Sequence, residues 1–433
     1  MSTAPTELKV DRTKAKKAAL AGGVGTLIEY YDFGVYGFLS IYIAPLFFIS
    51  DNPAVPLLAT LAVFGVAYVA RPFGGIFFGT LGDKVGRKSA LVLSVILMGV
   101  ASSVLGLLPT YAAVGVLAPI LLVLVRLVQG FSAGGEIGGS ATYIAESAPP
   151  NRRGMFGSFT PIGSTLGFSV AAAVVGLTTL IVGADNMAAW GWRIPFLISI
   201  LLTAVCLVIR LRLEDTDTVR ELAATDQKAS NPFWTVVKNH PLAVLRVVGI
   251  AIATNGTGYV GLTYFSVYLI NDVGYSPQTI HWISALGIAL ACLTYPLSGL
   301  WSDIVGRKKV FAAGCIGYLV LTYPMLYVLG LGNSLIVVLL VYVVYIGLNG
   351  VLQVPAFPLF TELFPGKVRY SGVALGFNVG TIIAGGTAPY IAAQLVASTG
   401  DPVSPAFWVI GVAIVGLATV LTIKETSRME LPK

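Results

Sequence analysis

Residues 79–88 read GTLGDKVGRK and residues 299–308 read GLWSDIVGRK. Gly79, Asp83, Gly86, Arg87 and Lys88 recur as Gly299, Asp303, Gly306, Arg307 and Lys308. A second pattern follows each copy in the same order, Glu146, Pro149 and Arg153 recurring as Glu362, Pro365 and Arg369. Two unlike elements repeated in order at nearly one offset point to duplication of half the chain. In membrane carriers built from repeats, the binding site lies between the repeats near the bilayer midplane.

The chain has 433 residues, 56% of them hydrophobic and 11% charged, with mean hydropathy +0.84, values that belong to polytopic membrane proteins. Apolar runs long enough to cross about 30 Å of hydrocarbon fall at 18–48, 57–81, 89–108, 113–146, 156–182, 193–212, 242–270, 279–300, 310–330, 334–362, 371–397 and 405–423. The expected fold is all-α, with twelve transmembrane helices in two six-helix bundles: residues 1–213, a hydrophilic linker 214–240, and residues 241–433.

A net charge of +7 does not imply a nucleic-acid partner, because the basic residues sort by side. Clusters such as Lys14 to Lys17, Lys84 to Lys88, Arg152 and Arg153, Arg307 to Lys309, Lys367 and Arg369 lie at the termini or in even-numbered loops. The odd-numbered loops carry Asp51, Asp185, Asp272 and Asp401, with Arg193 at a helix start. The positive-inside rule then places both termini in the cytoplasm, for a chain expected to span the bacterial inner membrane as a monomer. The first apolar run is far longer than a signal-peptide core and carries Glu29 and Asp32, so no cleaved signal is expected. Cys206, Cys292 and Cys315 occupy three separate spans and imply no disulfide framework.

The fourth span, LVRLVQGFSAGGEIGGSATYIAESAP over 124–149, carries the densest chemistry. At helical spacing Arg126, Gln129, Ala133, Glu136, Ser140 and Tyr143 fall on one polar stripe, while Gly130, Gly134 and Gly138 form a small-residue face for close helix contact. In the first span Glu29, Asp32, Phe33 and Tyr36 share a face, and ionisable groups at that depth mark functional sites. Glu29 and Asp32 are the candidate proton carriers, with Glu136 in reserve, because His240 and His281 lie outside the membrane centre. Arg126 is expected to pair with one of these acids until a substrate carboxylate competes for it. Arg71, before the proline of the second span, is expected either to satisfy the broken backbone or to pair with an acid. The second half offers Asn255, Tyr259, Tyr345, Asn349, Gln353 and Asn378 as polar binding groups.

Other chemistries find little support. Gly130-Phe131-Ser132-Ala133-Gly134 matches a hydrolase nucleophile elbow but sits inside an apolar helix with no histidine near it. Gly82 to Ser89 is one residue short of a phosphate-binding loop and has arginine for its lysine. The scattered histidines and cysteines imply no metal, and no cofactor is expected beyond the proton as coupling ion. A channel would show rings of like charge, and an enzyme a nucleophile or metal constellation.

The duplicated loop resembles the signature of the major facilitator superfamily. More narrowly, IEYYDFGVYGF, RPFGG, RLVQGFSAGGE, WGWRIPF and TELFPGKVRYSG are similar to the metabolite:proton symporter family, whose members carry proline/betaine, α-ketoglutarate, shikimate and citrate in bacteria. The resemblance runs from about Lys14 to Glu425 and implies the major facilitator fold and alternating access. The second half, with ATNGTGYVGLTY and RYSGVALGFNVG, looks closest to the proline/betaine carrier. Arg126, however, stands where that carrier has lysine and the organic-anion carriers have arginine. The long C-terminal coiled coil of the osmosensing carrier has no counterpart before Lys433, so regulation by that device is not expected.

The resulting expectation is a proton-coupled symporter for a small organic acid, a carboxylate held by the planar fork of Arg126 with Gln129. The alternative is a zwitterion such as betaine or proline, its ammonium among Tyr36, Tyr259 and Tyr264. Asp83, Arg87, Glu146 and Arg153, with Asp303, Arg307, Glu362 and Arg369, are expected to close the inner mouth as gating clusters.

Overall fold

The computed structural model describes residues 12–85, 87–211, 232–332, 334–427, 429, 431 and 432, with side chains for all of these except 12–18, 21, 79–80, 82–85, 87–91, 150, 209 and 232. The described chain is helical throughout its spans. In order these are α1 (Arg12–Phe47), α2 (Ala54–Val85), α3 (Arg87–Leu107), α4 (Leu117–Ser147), α5 (Arg153–Val182) and α6 (Arg193–Leu211), then α7 (Pro241–Asn271), α8 (Pro277–Val305), α9 (Arg307–Gly330), α10 (Leu335–Glu362), α11 (Arg369–Thr399) and α12 (Pro405–Leu421). Together they form the expected twelve-helix fold in two halves. Of the linker, 214–231 lies outside the described residues, and Pro232–Asn239 forms a short helix.

The halves meet along two matching seams. α5 packs on α8 and α2 packs on α11. Because α8 is the duplicate of α2 and α11 the duplicate of α5, each seam is the counterpart of the other, as a pseudo-two-fold arrangement of repeats requires. Thr165 and Tyr295 hydroxyls meet at 3.2 Å on the first seam, and Ser169 Oγ donates to the Ala285 carbonyl at 2.7 Å. On the second, a β-carbon on Gly65 would meet the Gly386 carbonyl at 2.8 Å.

One sequence expectation changes in three dimensions. The polar stripe of α4 is not one continuous helix, because the chain turns at Gly134–Gly135 between Leu117–Ala133 and Glu136–Ser147. The reason is the crossing with α2: a β-carbon on Gly130 would lie 1.6 Å from the Ala67 carbonyl, one on Gly134 2.0 Å from the Arg71 carbonyl, and one on Gly74 1.7 Å from the Phe131 carbonyl. The tryptophans before α6 divide. Trp190 is half exposed as an interfacial residue would be, but Trp192 is fully buried against Phe47 and Phe196, with the Arg193 guanidinium over its ring. Ala184–Gly191 and α6 meet at a 64° bend there, held by Arg193 donating to the carbonyls of Gly106 and Leu108.

Both α7 and α11 carry a π-helical stretch, at Val260–Tyr264 and Thr381–Gly386. Such widened turns release backbone from the regular ladder and occur at functional sites. At their margins, Tyr259 and Gly386 meet the first half.

The α2–α4 crossing predicts a contrast between two glycines. Gly130→Ala forces backbone apart and is expected to cost about 1–3 kcal/mol, read as a lower Tm of the detergent-solubilised protein. Gly411→Ala, which meets nothing within 4 Å, is expected to leave Tm unchanged or raise it. Equal behaviour of the two variants would show that the crossing is not tight.

Candidate functional site

Glu29, Asp32, Arg71, Arg126, Glu136 and Arg210 of the first half are buried and sort into separate arrangements. Arg71 of α2 donates from Nη2 to Glu29 Oε1 of α1 at 2.8 Å, both side chains being almost wholly shielded. The rest of its guanidinium lies against aromatic faces, 4.6 Å from the Phe33 centroid and 4.7 Å from that of Tyr68. Arg210 of α6 pairs with Glu136 of α4. Gly25 makes room for this pair, since a β-carbon there would meet Arg210 Nη2 at 2.8 Å and Glu136 Oε1 at 2.9 Å. Asp32 accepts a hydrogen bond from Ser199 of α6.

Arg126 differs from the other two. It donates to Gln129 Oε1 at 2.9 Å and, more weakly, to the Phe64 carbonyl at 3.4 Å, and its guanidinium lies 4.2 Å from the Tyr36 centroid. Gln129 is fixed in turn by donating to Ser102 at 2.8 Å. Among the described residues Arg126 forms no ion pair, and its Nε has no acceptor. The expected pairing of Arg126 with an acid is therefore corrected: Glu29 pairs with Arg71 and Glu136 with Arg210. Gln129, one helical turn along, already occupies the fork of Arg126.

Tyr259 carries the second half into this site. Its ring lies 5.8 Å from Phe64, 5.5 Å from Tyr68 and 5.8 Å from Phe168, all mainly edge-to-face. The other polar groups of the second half turn inward. Tyr345 donates to the Thr257 carbonyl at 3.0 Å, Asn349 to the Thr254 carbonyl at 3.1 Å and Asn255 to the Ala251 carbonyl at 2.9 Å. Gln353 is buried, with its Oε1 receiving no hydrogen bond. Asn378 crosses the seam and donates to the Gly134 carbonyl, at the break in α4. Tyr264 stacks beside Tyr268, and Tyr36 donates to the Thr60 carbonyl beneath Arg126, so these two do not form a cage with Tyr259. Among the described residues no cluster of His, Cys, Asp and Glu is arranged to hold a metal ion.

At the end of the bundle carrying the basic loops, duplicated motif residues bind across the seam. Asp303 of α8 accepts from the amides of Gly154 and Met155 at 2.8 and 2.9 Å, capping the start of α5, and also pairs with Arg307 at 2.7 Å. Glu146 pairs with Arg369 at 3.1 Å, and Glu362 lies 3.8 Å from both Arg153 and Arg307. Asp83 and Arg87, the first-half copies, lie outside the described side chains. The chain after α12 is bound into the same cluster. Glu425 accepts from the amides of Arg307 and Lys308, and Thr426 donates to Glu362 at 2.6 Å. Arg153 donates to the Met429 carbonyl at 3.0 Å, and Arg369 to the Pro432 carbonyl at 2.6 Å. Partial burial disfavours the charged form of Glu425, but amides of Ser427, Arg307 and Lys308 outweigh it and hold the carboxyl below its ordinary pKa.

Arg210 and the tail were not read from sequence as parts of any site. A cation embedded in the apolar run ILLTAVCLVIRL was the available signal for Arg210. The tail bonds through the Met429 and Pro432 carbonyls leave no mark on side-chain composition.

A family model described as sugar (and other) transporter matches residues 18–219 and 213–433. The chain is 37% identical to the proline/betaine transporter of Salmonella typhimurium over 98% of its own length and 86% of that protein's. It is 35% identical to the ectoine/proline transporter of Corynebacterium glutamicum, covering 96% and 86% respectively. Among solved structures, a proton:xylose symporter of the major facilitator superfamily bound to 6-bromo-6-deoxy-D-glucose aligns with a TM-score of 0.76 at 17% identity, over 97% of this chain and 98% of that one. That likeness carries the fold, and the sequence matches carry the family. The chain belongs to the sugar (and other) transporter family of the major facilitator superfamily, multi-pass membrane transporters rather than enzymes.

Proposed function

We propose that the protein is a proton-coupled carrier of a small zwitterion of the betaine or proline class, binding its substrate between the halves by alternating access. One observation carries this reading: Arg126, the mid-membrane guanidinium without a carboxylate partner, lies beside an aromatic cluster that Tyr259 completes from the opposite half. A carboxylate is drawn to Arg126, and a quaternary or secondary ammonium to the negative faces of Phe64, Tyr68, Phe168 and Tyr259. Because these groups come from both halves, the substrate ties the halves together in the loaded state.

The organic-acid expectation gives way to its alternative on three grounds. Three of the second-half groups expected to bind substrate, Tyr345, Asn349 and Asn255, are engaged by backbone carbonyls. Arg71 is already matched by Glu29. The relatives named above are transporters of proline, betaine and ectoine, which are zwitterions.

In this reading Glu29 carries the proton, with Asp32 beside it. A substrate carboxylate arriving near Arg71 and Arg126 weakens the hold of Arg71 on Glu29, and an uncompensated carboxylate in low dielectric takes up a proton. The basic-loop end faces the cytoplasm, the two halves fall at residues 1–213 and 241–433, and the Asp303, Glu146, Glu362, Arg153 and Arg369 contacts hold the inner mouth shut.

Two outcomes are expected. In proteoliposomes with an imposed inward proton gradient, the wild type concentrates glycine betaine or L-proline. Tyr259→Leu raises KM about 3- to 30-fold with a smaller change in kcat, the scale of a cation–π contact. Uptake of organic acids with no competition by either zwitterion would overturn the proposal.

For the gate, Asp303→Asn weakens the charge-assisted cap on α5. A Thr165→Cys reporter, in a chain with its native cysteines replaced by alanine, is expected to react faster from the cytoplasmic side when Asp303→Asn is also present. Unchanged labelling would mean that these charges fix topology alone.

A further inference from the structure

A small cavity lies inside the first half, away from the seam, lined among others by Gly25, Glu29, Asp32, Ser94, Glu136 and Arg210. Its walls come from α1, α3, α4 and α6, whereas the aromatic cluster and Tyr259 lie on the other side of Glu29, towards the second half. It is large enough to hold a water molecule and far too small for a metabolite.

Glu29 faces both regions. Its Oε1 accepts from Arg71 on the substrate side, and its Oε2 is buried with no hydrogen-bond partner. The next charged groups along the cavity are Glu136 and Arg210, seated against Gly25, which is four residues from Glu29 and so about 6 Å nearer the basic-loop end on α1. Arg210 itself is one residue from the end of α6 on that face. The groups surrounding Glu29 are Arg71 of α2, Asp32 of its own helix, Glu136 of α4 and Arg210 of α6.

We propose that this cavity is a proton passage, leading from Glu29 through Glu136 and Arg210 to the cytoplasm inside the first half, separate from the substrate's path between the halves. The passage rests on the proton-coupled reading above. In the release step the O–H bond of protonated Glu29 breaks towards a water in the cavity, and that water gives a proton to a Glu136 oxygen. Glu29, again a carboxylate, re-forms its pair with Arg71. Neutral Glu136 loosens from Arg210, whose charge is favoured where it stands, beside the carbonyl end of α6. Loss of the proton from Glu136 to the aqueous face restores the Glu136–Arg210 pair. A route of this kind lets the substrate gate stay shut while the proton leaves.

The test separates net transport from exchange in proteoliposomes of the full chain, using labelled glycine betaine or L-proline, whichever the wild type concentrates. Exchange at equal pH on both sides needs no proton release, whereas gradient-driven accumulation does. Glu136→Gln is expected to lower gradient-driven accumulation by at least about tenfold, as loss of a proton-transfer group does, while exchange stays within about twofold. Arg210→Lys, which keeps the cation, is expected to retain both modes. Should Glu136→Gln fail to fold, Ser94→Leu fills the same cavity from α3 and is expected to show the same split. Wild-type accumulation in Glu136→Gln, or equal loss of both modes in a folded variant, would sink the passage. A wild type that accumulates neither zwitterion under a proton gradient would instead sink the reading on which it rests.

Discussion

A charged side chain in hydrocarbon must be matched by another, and the first half of this protein is arranged by that constraint. Three guanidiniums and three carboxylates lie buried among α1, α2, α4 and α6. Leaving one member of a buried pair alone costs about 3–5 kcal/mol, comparable to a large share of a protein's stability. Glu29 with Arg71 and Glu136 with Arg210 meet the constraint directly, and Asp32 meets it through Ser199. Arg126 meets it only through amide, carbonyl and aromatic partners, which makes it the position most receptive to an incoming anion. In the proposed reading, binding and proton uptake are linked by one rule, because any new negative charge near these arginines changes which acid is best matched.

The close approach of α2 and α4 serves this arrangement. Gly74 against Phe131 and Gly130 against Ala67 bring the backbones near enough for Arg71 and Arg126, on neighbouring helices, to share the ring of Phe33. Larger residues there would separate the two cations and dilute the field that a substrate carboxylate meets. The turn at Gly134–Gly135 also exposes the Gly134 carbonyl to Asn378, so the same small residues that pack the first half give the second half a point of attachment.

Short polar contacts punctuate the apolar packing along the seams between the halves. Thr165 with Tyr295, Ser169 with Ala285, Asn378 with Gly134 and Asp303 with the amides of α5 can each be exchanged for water when the halves tilt. At the basic-loop end the tail from Glu425 to Pro432 adds bonds to Arg153, Glu362 and Arg369, residues of the duplicated pattern from both halves. In the proposed reading, a contact set of this kind favours a closed inner mouth by a modest margin, as a carrier moving between states of similar free energy requires.

The sequence by itself determined the twelve spans, their duplication and the depth of the charged residues. Hydropathy over about 20 residues, a repeated loop and the sorting of lysines and arginines are each local or periodic properties. Glu29, Asp32 and Arg126 stood out as candidate site residues for the same reason, since any ion at that depth stands out against apolar neighbours. Which ion faces which was decided only by tertiary structure. Glu29 and Arg71 are 42 residues apart, and Glu136 and Arg210 are 74 apart, so their pairing depends on helix rotation and crossing, which periodicity does not specify. The same holds for Asn349 and Tyr345, whose helical spacing was correct as read. Whether such a group turns to a ligand or to a neighbouring carbonyl depends on the helix packed against it, here α7, and that packing follows from the shapes of many distant side chains together.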